Sequence, residues 1–231
     1  DLIDKQPPEI KTNQNTINNR PFRLPEPNIN NAIARNYLML ERGIDKEIVD
    51  YCIQNHYLYE AKRDHSIIFI GYDHHHYPQY AAKRATSSTL KIDVAGSKKE
   101  NCFNIINDQS KVLHVFESAI DLLSYLTLLK KQGRNYLSEN YLSIGGATIL
   151  GSHIEEASIP IALETFLKHN PNIQVINLYL DNDKAGKDTT KKIIYHLNNQ
   201  YIIHDNTPYR VKDMNELLKK KIKTNITIDE R

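Results

Sequence analysis

The chain has 231 residues, 40% hydrophobic and 25% charged, with a formal net charge of +2, so it is long enough for one large domain or two small ones. No apolar run approaches the roughly 20 residues of a membrane-spanning helix, which excludes a protein embedded in a membrane through helices. The near-neutral total means that any attraction to nucleic acid must come from how the basic residues are distributed.

Residues 1–28 are rich in Asn and Pro and lack apolar periodicity, which reads as a linker or loosely packed arm. In "NAIARNYLMLERGI", Ile33, Tyr37 and Leu40 recur at helical spacing, and Gly43 is placed to end the helix. A second helix is expected from Asp45 as N-cap to about Asn55. The period then changes. "HSIIFIGYD" and "QYAAKRAT" read as strands joined by a hairpin turn at "HHHYP", and "NCFNII" reads as a further strand. Residues 29–108 are thus expected to form a small α+β subdomain.

Over residues 109–231 the pattern alternates. The strands "KVLHVF", "YLSI", "IQVINLYL" and "YIIH" are followed in turn by the helical patterns "AIDLLSYLTLLKK", "EEASIPIALETFLKHN", "AGKDTTKKIIYHL" and "DMNELLKKKI". Repeated βα units with connections this short predict an α/β domain, a four-stranded parallel sheet flanked by helices. Sites in such sheets form beyond the carboxyl ends of the strands. Glu117 ends the first of these strands, and Asp181 with Asp183 ends the third. If the two strands are neighbours, three carboxylates converge, and self-repelling hard oxygen ligands suit Mg²⁺ or Mn²⁺ better than zinc. Asn182, between the two Asp residues, points away in an extended segment and lets both share one site. For Asp181 alone, a helix N-cap is the competing reading.

These motifs carry a resemblance. "VFESAIDLLSYLTLL", "YLSIGGATI", "LYLDNDKAG" and "VKDMNELL" resemble the Toprim domain of bacterial DNA primases, whose hallmarks are a Glu after the first strand and a DxD after the third. "YLMLERGI", "AAKRAT" and "GSKKENCF" are similar to the primase-core-like subdomain that precedes Toprim in primase-like proteins of plasmids and conjugative mobile elements. The likeness spans residues 22 to about 221. It implies a Rossmann-like Toprim fold and a metal-dependent nucleotidyltransferase acting on single-stranded DNA in replication or transfer of a mobile element. A metal-dependent nuclease and a non-catalytic nucleic-acid-binding replication subunit are the alternatives.

Carried over residue by residue, the resemblance makes Asp181 and Asp183 ligands of Mg²⁺ or Mn²⁺ and Glu117 a ligand or general acid/base. Asp121 corresponds to the acid after the Glu motif, with support of the first helical turn as its other reading. Lys212 and Asp213 fall at the rim. Lys83, Arg84, Lys98 and Lys99 match basic positions that face template and nucleotide, against the plain reading of solvated surface. Gly145 and Gly146 either bring backbone close to a phosphate or form an ordinary turn. The sequence departs from the family pattern at Ser118 and Asn182, where Gly is usual, and both substitutions ask for more room near the metal. The cysteines of a primase zinc module are absent. An upstream zinc-binding module, a helicase or a relaxase is therefore an implied partner beside single-stranded DNA and nucleotides, with no membrane.

Cys52 and Cys102 make no CxxC pair, and with no visible signal peptide a reducing cytoplasm is expected. Cys102 alternates with apolar neighbours and reads as packing. None of the 14 tyrosines is singled out as a topoisomerase nucleophile. His74, His75 and His76 are expected at a hairpin tip. Consecutive residues of a strand face opposite sides, so they are not expected to share an ion.

Overall fold

The computed structural model describes residues 21–151 and 153–229, with side chains described as far as residue 224. Most of the segment read as an arm, residues 1–20, lies outside them. Residues 22–28 run beside the first strand: Pro27 bridges to Ala61, and Phe22 and Leu24 pack on Ala61, Ile68, Ile70 and Ala81.

Helix α1, Ala32–Asn36, continues into a single π-helical turn, Tyr37–Glu41. The N–H of Arg42 reaches the carbonyl of Tyr37 across five residues (3.1 Å). This wider turn shifts the phase expected from regular helical spacing. Ala34, Tyr37 and Leu38 face inward, while Leu40 is 78% exposed. Gly43, at φ +71°, ends the turn. Helix α2, Lys46–Gln54, starts as expected from Asp45, whose side chain accepts the N–H of Glu47.

The first sheet is antiparallel, in the order β1 (Leu58–Glu60), β2 (Ile67–Tyr72), β3 (Pro78–Arg84), β4 (Lys91–Asp93). β2 and β3 are the expected hairpin, with residues 73–77 as its turn. The sequence reading passed over β1 and β4. Each has three residues, too few for alternation to register, and β4 is exposed throughout.

The second sheet has the order β5-β7-β6-β8-β9. Its four expected parallel strands are β6 (Val112–Phe116), β7 (Asn140–Ser143), β8 (Val175–Tyr179) and β9 (Ile202–Asp205). A fifth strand, β5 (Asn104–Ile105), joins antiparallel to β7. This is the "NCFNII" segment, expected as part of the front α+β unit. The buried side chains of Phe103 and Ile105 hold it in the core shared with α3.

Helices α3 (Ala119–Lys131) and α6 (Met214–Asp229) cover one face of this sheet, α4 (Ile161–His169) and α5 (Lys184–Leu197) the other. Strand β6 shows the alternation that this requires: Leu113 and Val115 join the α4/α5 core, and Phe116 joins the α3/α6 core. The helix expected from residue 155 begins only at Ile161, with Pro160 as its cap, since proline fits a helix start and disfavours helix before it. The chain leaves β6 toward β7 on one side and later returns as β8 on the other. The switch of direction thus falls between β6 and β8, where a crevice opens.

Candidate metal centre and its basic wall

Both loops at this switch point carry acids. Glu117 follows β6, and its Oε2 is buried without a hydrogen-bond partner. Burial, and then the charge of Asp183, raise its pKa. One turn on, Asp121 is buried in the first turn of α3, and burial together with Asp213 pushes it up to about 6. Ser118 is the N-cap of α3: its Oγ accepts the N–H of Asp121 and donates to that residue's Oδ2. The serine in place of the family's usual glycine thus caps the helix and orients the acid.

Asp181 lies just past β8, and burial followed by Asp121, Glu117 and Asp213 raises it to about 7. It is not a helix cap. That position belongs to Asp183, whose Oδ1 accepts the N–H of Gly186 at 3.0 Å. A Cβ on Gly186 would run into the carbonyl of Asp181, so glycine lets α5 start against the strand end. Asn182 ties the two acidic loops together: its N–H meets the carbonyl of Lys212 at 2.6 Å and its side chain the carbonyl of Val211 at 3.2 Å. That brings in Asp213, which also caps α6 by accepting the N–H of Glu216 at 2.7 Å. One carboxylate oxygen each from Asp121, Asp181 and Asp213 lies within 4.8 Å of the others. Asp183, expected to share the site, is exposed and turned into the helix terminus, outside this triad.

Across a cleft of about 580 Å³ stands a largely basic wall, Arg42, Lys83, Arg84, Lys91 and Lys99, with one acid, Asp93, 3.6 Å from Lys99; Lys212 is on the acidic side. The Tyr37 hydroxyl accepts from Arg42 Nε at 2.9 Å and Arg84 Nε at 3.0 Å, which holds the two guanidiniums together. Lys83 is committed to Asp64. Lys99 donates to the carbonyl of Gly145 at 3.0 Å, and Lys212 Nζ stands 3.6 Å from Asp181. Gly145 and Gly146, at φ +67° and +111°, form the turn lining the cleft. The side chain of Lys98 is exposed outside the cleft.

The sequence reading missed Arg42 and Lys91. Arg42 sits at the end of a π turn that no periodicity reveals, though its place just before the helix-ending Gly43 was a signal. Lys91 is on the unrecognised β4. Both cysteines are buried, and burial raises the Cys102 thiol to about 12, so neither offers a nucleophile.

Residues 114–218 match the Toprim-like family, and residues 36–109 match a family described as a protein of unknown function, DUF3991. Among solved structures, the primase fragment of the bacteriophage T7 primase-helicase protein aligns with a TM-score of 0.56 at 17% identity, over 90% of this chain and 80% of that one. The DnaG primase catalytic domain bound to ssDNA aligns at 0.51 and 14% identity, over 85% and 70%. The E. coli primase catalytic core aligns at 0.51 and 13% identity, over 82% and 69%. Residues 114–218 thus form a Toprim-like domain, and the chain shares the fold of primase catalytic cores. An uncharacterized Bacillus anthracis protein, pXO2-78, is 27% identical over 174 residues, 70% of this chain and 46% of that protein, so this chain spans about half the length of its curated relative. Among the described residues no helix is long and apolar enough to cross a membrane.

Proposed function

We propose that this chain is a metal-dependent nucleotidyltransferase module of primase type, acting on single-stranded DNA in the replication or transfer of a mobile element. The observation that carries the reading is the two-walled cleft, with converging acids on the Toprim side and cations held by Tyr37 on the other. The residues fit a hard divalent cation. Three carboxylates within 4.8 Å repel one another, two have raised pKa values, and Glu117 has a buried oxygen with no partner. Asp121, Asp181 and Asp213 would hold Mg²⁺ or Mn²⁺, with Glu117 completing the set and Asp183 adding charge from outside. Such an ion neutralises phosphate oxygens and orients them.

The chain's own groups supply the rest. In this reading Glu117 is either a further ligand or the base that takes the proton of an attacking hydroxyl, a task that its raised pKa suits. Arg42 and Arg84 bind phosphate oxygens from the opposite wall, with their geometry set by Tyr37. The plasmid-encoded relative supports the mobile-element setting. A zinc-binding module, helicase or relaxase as partner belongs to the same reading.

The test is an incubation of the chain with nucleotides, single-stranded DNA and Mg²⁺ or Mn²⁺. Short new oligonucleotides are expected, reduced more than about a hundredfold in Asp181→Asn, since loss of even an outer partner of a metal ligand costs 10–100-fold. Shortening of the DNA without synthesis would reassign the site to a nuclease. DNA binding with neither reaction would make the chain a non-catalytic subunit.

A further inference from the structure

The described residues between β7 and α4 form neither helix nor strand, and a connection this long inside a compact domain commonly serves a site. Beyond Gly146 it is anchored along one helix, α5. The N–H of Leu150 donates to the carboxylate of Asp188 at 3.2 Å, and the His196 ring meets the carbonyl of Ile154 at 3.1 Å. Thr148 is held at every polar atom. Its N–H donates to the Thr189 hydroxyl at 3.0 Å, its carbonyl accepts from that hydroxyl and from Lys192 Nζ, both at 3.1 Å, and its own hydroxyl accepts from Lys192 as well. Positions 188, 192 and 196 recur at helical spacing with Thr189 beside them, so one stripe of α5 grips the loop.

Lys192 stands out in that stripe because it is buried, 3% exposed, and its ammonium meets the oxygens of Thr148. Burial lowers its pKa, and the charge of Asp188 acts against that shift. Taking an ammonium out of water is costly, and an apolar side chain of the same length would fill the space without that cost. What the ammonium adds is its grip on Thr148. The gripped residue leads directly to the metal centre: two positions earlier, the N–H of Gly146 donates to the carbonyl of Glu117 at 3.1 Å. Burial and the charge of Asp183 raise the pKa of Glu117, and the N–H of Ala147, facing the carboxylate, acts against that rise. Two successive glycines leave this turn conformationally free, so its geometry must be set by what holds its ends.

We propose that Lys192 and Thr189 are positioning residues of the metal centre: through Thr148 they hold the turn of residues 145–147 against Glu117 and keep its carboxylate in place as a ligand of the ion. This role rests on the metal-dependent reading above. Helix α5 then orders both loops of the centre, since its N-cap, Asp183, follows Asp181 and its buried stripe holds the turn beside Glu117.

The experiment titrates the full chain with Mn²⁺ and reads the free ion by electron paramagnetic resonance. Asp181→Asn should bind no Mn²⁺ in the range where the wild type saturates. Lys192→Met keeps the reach of the side chain without its donors, and Thr189→Val exchanges a hydroxyl for a methyl; each should weaken Mn²⁺ binding about tenfold. The amides of Gly146 and Thr148 should exchange hydrogen faster in both. Leu197→Ala, in the core at the far end of α5, should lower the melting temperature and leave Mn²⁺ affinity unchanged, which separates loss of position from loss of stability. Wild-type affinity in both Lys192→Met and Thr189→Val, or an equal loss in Leu197→Ala, overturns the positioning role while the metal centre stands. A wild type that binds no Mn²⁺, or Asp181→Asn binding as well as the wild type, overturns the metal reading and this role with it.

Discussion

Asp181 and Asp183 stand one residue apart and meet different partners. Asp181 is buried among Asp121, Glu117 and Asp213, whereas Asp183 is turned into the N-terminus of α5. Asn in place of Asp181 removes one charge from a repelling cluster. The metal-free variant should therefore melt at or above the wild-type temperature, while the rise in melting temperature that Mg²⁺ gives the wild type should disappear. A Mg²⁺ response of equal size in both proteins would remove Asp181 from the ligand set. Glu117 and Asp181 were legible in the sequence because each stops an apolar run, and a strand end in a βα repeat is a place where loops diverge. The membership of Asp213 was not, since it depends on Asn182 tying together loops about 30 residues apart in sequence. The capping role of Asp183 was hidden for a similar reason: Asp181 and Asp183 are both plausible caps by residue type, and only the start of α5 at Lys184 decides between them.

At the scale of elements, the start of α1 depends on a strand nearly 30 residues away. No side chain of Asn31 caps α1. Instead Glu60 on β1, fully buried, accepts the N–H groups of Ile33 at 2.9 Å and Ala34 at 3.0 Å, along with contacts from Asn28 and His65. Burial alone would raise the pKa of Glu60, but these donors outweigh it and the net shift is downward. A carboxylate with a lowered folded-state pKa contributes stability that is full above its unfolded pKa and is lost as pH falls through the folded one. Glu60→Gln should cost about 1–3 kcal/mol at neutral pH, because the amide keeps one acceptor oxygen where the carboxylate has two, and its NH₂ then meets the Asn28 donor. Urea denaturation of both proteins should show that gap closing in the acid range; a gap that stays constant with pH would mean that the charge of Glu60 does not matter. Long-range capping of this kind leaves no local sequence signal, and neither does the π turn that moves Leu40 outward. Helix α2 and strand β8 were legible because their burial alternates at the helical and strand periods, and α3, β6 and β7 because they are buried along most of their length.

Over the whole molecule, the two sheets present opposite charges to one cleft, although the net charge is only +2. The basic side carries an arrangement that costs stability when alone: Arg84 on β3 and Lys91 on β4 lie directly opposite in register, and like charges so placed repel. An anion between them would relieve that repulsion, and under the proposed function the phosphate backbone of single-stranded DNA would supply one. Lys83, the neighbour of Arg84, points to Asp64 and is only 23% exposed. The two lysines should therefore behave differently. Arg84→Ala combined with Lys91→Ala should weaken binding of single-stranded DNA and reduce the slope of log affinity against log salt by about 1.4, since each lost phosphate contact removes about 0.7. The same pair loses the repulsion but also the Arg84 bond to the Tyr37 hydroxyl, so the DNA-free protein should stay within about 1 kcal/mol of the wild type. Lys83→Ala should change the slope little, its charge being already neutralised by Asp64. Fluorescence anisotropy across a salt series measures all three proteins: an unchanged slope in the double variant would make Arg84 and Lys91 ordinary surface, and a large change in Lys83→Ala would mean that the ion pair with Asp64 opens when DNA binds.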